Sequence, residues 1–161
     1  LDISTFRDHF RAHKCQTPEL KALEKHRSEQ KEMRRRFNSA VKNGIIKTEI
    51  NEQKQADHIR GTNEWKRRIE VDQASGMQFE PSYLTISMDE AAELIKRYSG
   101  TGKFLYKEKD DYIPKKEIIK HDSKIGVYID RKTGERFDTD SFRIHYRNTG
   151  AHIVPTYGGK S

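Results

Sequence analysis

The last 21 residues, Ser141–Ser161, contain no Asp or Glu but carry Arg143, His145, Arg147, His152 and Lys160. From 142 to 147 the residue types alternate. Phe142, Ile144 and Tyr146 share one parity, and Arg143, His145 and Arg147 share the other. That period of two describes a half-buried strand with a wholly basic outer face. On pattern alone such a face is as often merely solvated as functional. A second histidine follows across Asn148-Thr149-Gly150, a hairpin turn signal. A two- or four-residue loop sets His145 directly opposite His152, with Cβ atoms about 4.5–5.5 Å apart. A three-residue loop with Gly150 as a bulge sends them to opposite faces, and the sequence leaves both registers open.

Two imidazoles beside Arg143 and Arg147 are what metal-independent RNA cleavage requires. One neutral His takes the proton of the ribose 2′-OH, one protonated His donates to the leaving 5′ oxygen, and a cation stabilises the charged phosphorane. An ordinary histidine pKa near 6.5 suits either task, and each contributes roughly 10²–10⁴-fold. The substrate brings its own nucleophile, so Cys15 is not needed, and as a single Cys it forms no internal disulfide. A third histidine, His58, precedes Gly61-Thr62, where backbone N–H groups at a helix N-terminus suit a phosphate. His9, His13, His26 and His121 sit among charges and read as surface residues. No CxxC, HExxH or EF-hand spacing occurs, and Asp130, Asp138 and Asp140 belong to a hairpin, so no metal or other cofactor is expected.

The elements that must position these groups divide near residue 50. Residues 3–14 read as a short amphipathic helix. Thr17-Pro18 then looks like an N-cap with Pro at the first helical position, and no breaker intervenes before Asn43-Gly44. A helix over 18–43 would be about 39 Å long at 1.5 Å per residue. Its apolar stripe (Leu20, Leu23, Met33, Phe37, Ala40, Val41) is thin and interrupted, so it packs along one side or projects. Arg34-Arg35-Arg36 on it reads as a solvated face. Residues 45–50 read as a short strand or extended arm, and Thr62 caps a helix from Asn63. Ser87-Met88-Asp89-Glu90 is a capping box that opens a helix stopped by Gly100. Six strand-like runs follow Gly102. Helices first and hairpins afterwards give an α+β fold: N-terminal helices, then a twisted antiparallel sheet of about four to five strands.

Composition narrows the class. The chain has 161 residues, 32 Lys or Arg against 25 Asp or Glu, and a formal charge of +7. Residues 1–50 hold +5 of that and the remainder +2. No apolar run approaches the roughly 18 residues of a membrane span. Only 32% of residues are hydrophobic, but seven Phe, seven Tyr and one Trp gathered in short runs can supply a core. A pI near 9.4 favours acidic partners such as nucleic acid. The chain starts at Leu1, without Met or a signal peptide, and is expected to be part of a longer polypeptide.

Gln53, His58-Ile59-x-Gly61-Thr62, Pro81-Ser82-Tyr83-Leu84-Thr85 and Arg143-Ile144-His145-Tyr146-x-x-x-Gly150-x-His152-Ile153-Val154-Pro155 together resemble the type 50 polymorphic toxin domain over about residues 45–157. The terminal block is the more specific part. The resemblance implies the fold of the barnase–EndoU–colicin–RelE ribonucleases, metal-independent endoribonuclease activity, and a place in bacterial toxins or phage minor head proteins. It carries His58, His145 and His152 as catalytic candidates, with Arg143 and Gln53 as polar neighbours and Thr149 as a phosphate-contacting hydroxyl; Arg147 on the basic strand face and Thr62 at the helix N-terminus join them as substrate-binding candidates. The pattern favours Thr just before the second His, where this chain has Ala151.

The expected organisation is a helical extension over 1–44 and a ribonuclease-like domain over 45–161. Its partners would be RNA and a cognate, acidic immunity protein, and it would act in the cytoplasm of a target cell. The alternative is a non-enzymatic basic module of a phage head or packaging protein that holds nucleic acid through the long helix and Arg34–Arg36.

Overall fold

The computed structural model describes residues 17–158. The helix expected over residues 3–14, with His9, His13 and Cys15, lies outside them. Helix α1 (Pro18–Lys42) starts where its N-cap predicts: the Thr17 hydroxyl accepts from the Leu20 N–H at 3.4 Å, and Asn43 ends it. Helix α2 (Glu52–Ala56) and helix α3 (Asn63–Ala74) follow, capped by Asn51 and Thr62. Strand β1 (Tyr83–Leu84) leads into helix α4 (Met88–Tyr98), opened by the Ser87–Glu90 capping box and closed before Gly100, whose φ is +84°. Then come β2 (Lys103–Phe104), β3 (Lys116–Lys120), β4 (Gly126–Ile129), β5 (Arg136–Thr139), β6 (Ser141–Arg147) and β7 (Gly150–Thr156).

The fold is α+β, as expected, but its strands form two antiparallel sheets, ordered β1-β4-β5 and β2-β3-β6-β7. The chain crosses between them at Asp140. There the Thr139 hydroxyl leaves its own strand to donate to the Thr156 carbonyl and accepts from the Ser141 N–H at 3.1 Å. One core joins the larger sheet to α1 and α4, through Met33, Phe37, Ala40, Ala91, Ile95, Phe104, Phe142, Ile144, Tyr146 and Ile153. A smaller cluster of Trp65, Tyr83 and Ile129 seals α3 against the other sheet.

Helix α1 behaves as two halves. Up to Ser28 its side chains are exposed or nearly so, while Met33, Phe37 and Ala40 are within 2% of complete burial. The arginine run departs from the solvated face expected of it. Arg34 donates to the carbonyls of Gly100 (2.8 Å) and Gly102 (2.9 Å), and Arg36 donates to those of Lys109 and Tyr112. Only Arg35 stays on the surface, paired with Glu32.

Both edges of the four-stranded sheet are closed by glutamines. Gln30 of α1 takes the Phe104 N–H (2.8 Å) and donates to its carbonyl (2.7 Å) on β2. Gln55 of α2 does the same for Ile153 on β7, at 2.7 and 3.0 Å. An edge strand leaves backbone groups unpaired, and each buried one left so costs about 1–3 kcal/mol. The arm at 45–50 completes the β7 edge. Asn51 N–H donates to the Ala151 carbonyl and Ala151 N–H to the Glu49 carbonyl, both at 2.8 Å.

Candidate active site

The β6–β7 hairpin decides the open question of register. Arg147 pairs with Gly150 and His145 with His152, so Asn148-Thr149 is a two-residue loop and the two histidines share a face. Gly150 serves close approach rather than a bulge. Its φ is +126°, and a Cβ there would stand 2.9 Å from the Glu49 carbonyl of the arm. On the other side β3 sets Lys116 opposite His145.

His58 arrives from the loop after α2. Its carbonyl accepts from the Leu84 N–H at 2.7 Å, and its own N–H donates to the Gln55 carbonyl at 3.0 Å. Thr62 ties the same loop shut, donating to the Ala56 carbonyl at 2.6 Å while it caps α3. With Gln55 locked to β7, this loop lays the His58 ring flat on His152, centroids 5.2 Å apart and planes within 4°. His152 in turn meets His145 at 4.9 Å and 41°. The three imidazoles therefore form one row, His58–His152–His145.

Cations surround the row. Arg68 of α3 donates to His58 Nδ1 at 3.0 Å. An arginine cannot accept, so Nδ1 accepts and the neutral ring carries its proton on Nε2. Burial pushes all three histidines below their usual range, and neighbouring positive charge adds to it. His58 falls to about 3, with Arg68 the strongest of its charged neighbours. His145 also falls to about 3, pressed after burial by His152, Lys116, Arg143 and Arg147. His152 falls to about 4, pressed after burial by Lys54 and Arg147. At neutral pH the row is uncharged, and Arg68 occupies the one acceptor nitrogen of His58. His145 Nε2 and Arg143 Nε are buried without a hydrogen-bond partner among the described residues.

The other expected site residues fall less centrally. Arg143 lies on the row's face of β6, beside His145. Arg147 is exposed at the strand end, and Thr149 is exposed at the hairpin tip. Thr62 spends its hydroxyl on capping and loop closure, so its role here is structural. Gln53 is exposed and lines a cleft of about 590 Å³ with Lys54, Asp57, His58, Arg67 and Arg68. A second cleft of about 530 Å³ shares His58 and Arg68 with it and extends toward Tyr128 and Arg131.

Sequence reasoning missed four residues: Gln55, Lys54, Arg68 and Lys116. Gln55 was detectable in principle, three positions before His58 on the short helix that leads into its loop. The cations carry no local signal that separates them from solvated lysines and arginines. Among the described residues no group of three His, Cys, Asp or Glu side chains is placed to hold a metal ion. No helix there is long and apolar enough to cross a membrane.

No curated protein and no solved structure matches the chain. The sequence model of the bacterial toxin 50 family, Ntox50, does match, over residues 50–155. That span is 106 of the 161 residues and contains all three imidazoles together with Arg68, Lys116 and Arg143. The chain belongs to the bacterial toxin 50 family, and the histidine row lies inside its toxin domain.

Proposed function

We propose that this toxin domain is a metal-independent endoribonuclease that cleaves RNA by attack of the ribose 2′-OH on the adjacent phosphate. The observation that carries the reading is the row itself: three contacting imidazoles ringed by Arg68, Arg143 and Lys116, with His145 Nε2 and Arg143 Nε unpartnered among the described residues. A neutral imidazole accepts the 2′-OH proton as the O–P bond forms. A protonated one delivers a proton to the 5′ oxygen as the P–O bond breaks, leaving a 2′,3′-cyclic phosphate and a 5′-hydroxyl. His145 and His152 are the acid–base pair, Arg143 is the phosphate clamp, and His58 is a third catalytic or positioning group. The acid needs a proton that the free protein does not hold at pH 7. The negative charge of a bound phosphate beside the row raises the imidazole pKa and retains that proton. A toxin of this kind requires an immunity partner, and an acidic one complements the basic face.

The competing reading, a non-enzymatic nucleic-acid holder built on Arg34–Arg36, loses two of its three cations to backbone carbonyls inside the fold. Incubation of the purified protein with total RNA in EDTA separates the two. Cleavage that persists in EDTA and vanishes in His145→Ala and His152→Ala supports the ribonuclease. No cleavage, with salt-sensitive binding to DNA and RNA alike, overturns it.

A further inference from the structure

Two clefts meet the imidazole row at its His58 end, and they differ in character. The first is walled by Gln53, Lys54, Asp57 and Arg67, hydrophilic groups that suit a sugar–phosphate chain. The second brings together the Tyr128 ring, Pro81, Val154 and Pro155 with Ser82 and Arg131. That combination suits a flat aromatic ligand with a polar edge. We propose that the Tyr128 cleft is the subsite for a nucleobase of the RNA flanking the scissile phosphate. This rests on the ribonuclease reading and adds to it the place where a base is held.

Three observations support the assignment. The cleft is continuous with the row: His58 and Arg68 line both clefts, and Val154 lies two residues beyond His152 on the same face of β7. The Tyr128 ring is already set in a stack. It lies within 15° of Tyr157 at 5.9 Å, and Tyr157 lies within 19° of Phe137 at 4.4 Å. A base stacking on Tyr128 therefore meets a ring whose plane is fixed before binding, and such stacking tolerates any base because every base has a π-face. Selectivity then falls to the polar edge. Asp72 holds the Arg131 guanidinium through Nη2, while Arg131 Nε is buried without a partner among the described residues. The Ser82 hydroxyl accepts from the Ile129 N–H at 2.8 Å, which leaves its own proton to donate. Both donors favour a base that presents a carbonyl or ring-nitrogen acceptor.

The test uses inorganic phosphate and the four 3′-nucleoside monophosphates, titrated into the whole chain at pH 6 while the histidine imidazole signals are followed by NMR. At least one nucleotide should bind tenfold or more tighter than phosphate. Tyr128→Leu should reduce that advantage to threefold or less, with phosphate affinity held within twofold, which also reports that the variant is folded. Arg131→Gln should narrow the spread among the four nucleotides. Nucleotides that bind no tighter than phosphate in the wild type, or a preference that survives in both variants, overturn the subsite and leave the ribonuclease reading standing. Phosphate that leaves every imidazole signal unmoved overturns both.

Discussion

Adjacent residues of β6 serve two buried polar clusters on opposite faces of one sheet. Tyr146 points to the core, where its hydroxyl donates to the Glu117 carboxylate. That carboxylate also accepts from the N–H groups of Gly100 (2.7 Å) and Gly102 (2.9 Å), and Arg34 takes the carbonyls of the same two glycines. Burial, and then the Glu117 charge, push the Tyr146 phenol well above its usual range, so it stays a donor. Its neighbour His145 faces the other way, into a cluster of neutral imidazoles and cations where His145 Nε2 and Arg143 Nε are unpartnered among the described residues. The first cluster is closed on itself and locks the α4–β2 turn to β3 and β6. The second gathers cations around neutral imidazoles; Asp57 beside Lys54 and Asp72 beside Arg131 offset part of that charge, and an anion would relieve more of it. Hydrogen-bond accounting thus separates a structural polar network from a site poised for a ligand.

Substitutions should divide the two clusters cleanly. His145→Ala and His152→Ala should each lower RNA cleavage by on the order of 10²–10⁴-fold. The melting temperature should fall by no more than a few degrees, because neither ring anchors the core network. Equal loss of activity and fold in both variants would erase the distinction. Glu117→Ala should do the reverse. It leaves two glycine N–H groups and a buried phenol without an acceptor, and should cost roughly 3 kcal/mol or more in urea unfolding. Cleavage by the fraction still folded should be little changed.

Acid should weaken the histidine cluster before the other. The folded imidazoles sit at about 3 to 4 against 6.5 unfolded, so below pH 6.5 the unfolded chain binds more protons than the folded one. Their contribution is complete above pH 6.5 and is lost as the pH falls toward their folded values. For the nearly inaccessible His58 and His152 this amounts to about 2 kcal/mol each between pH 7 and pH 5. His58→Asn should flatten that part of the pH–stability curve, and saturating phosphate should shift it to lower slope. A curve unchanged by either would show that the row is not the titrating unit. The smallest effect on cleavage among the site variants belongs to Gln55→Ala, which should cost about 2 kcal/mol or more in stability, speed hydrogen exchange at the Ile153 amide, and lower cleavage by loosening His58.

Much of this was legible in the sequence because it rests on local rules. Thr17-Pro18, Thr62 and the Ser87–Glu90 box each cap the helix they announce. The alternation over 142–147 is the burial pattern of β6. What was not legible depended on distance along the chain. Gln30 and Gln55 read as ordinary surface glutamines until folding brings them to sheet-edge partners 74 and 98 positions along the chain. Glu117 looks like one more charge in a charged strand, and only the turn at Gly100–Gly102 makes it a buried acceptor. The strand count grew to two sheets because pairing partners, unlike strand propensity, are set by what the chain meets after folding.

By itself the sequence determined that an acid-free terminal strand would present histidine and arginine on one face, since alternation is a property of the β backbone. It did not determine that these groups would meet His58. A two-residue turn rather than a bulge, a glutamine clamp on β7, and a threonine-closed loop were needed to stack His58 on His152 and bring Arg68 behind it. The contacts of Gln55 with Ile153 and of His58 with His152 are long-range, and their energies come from closing a sheet edge and filling a core. The candidate site was therefore written locally in its residue types and decided globally in its geometry.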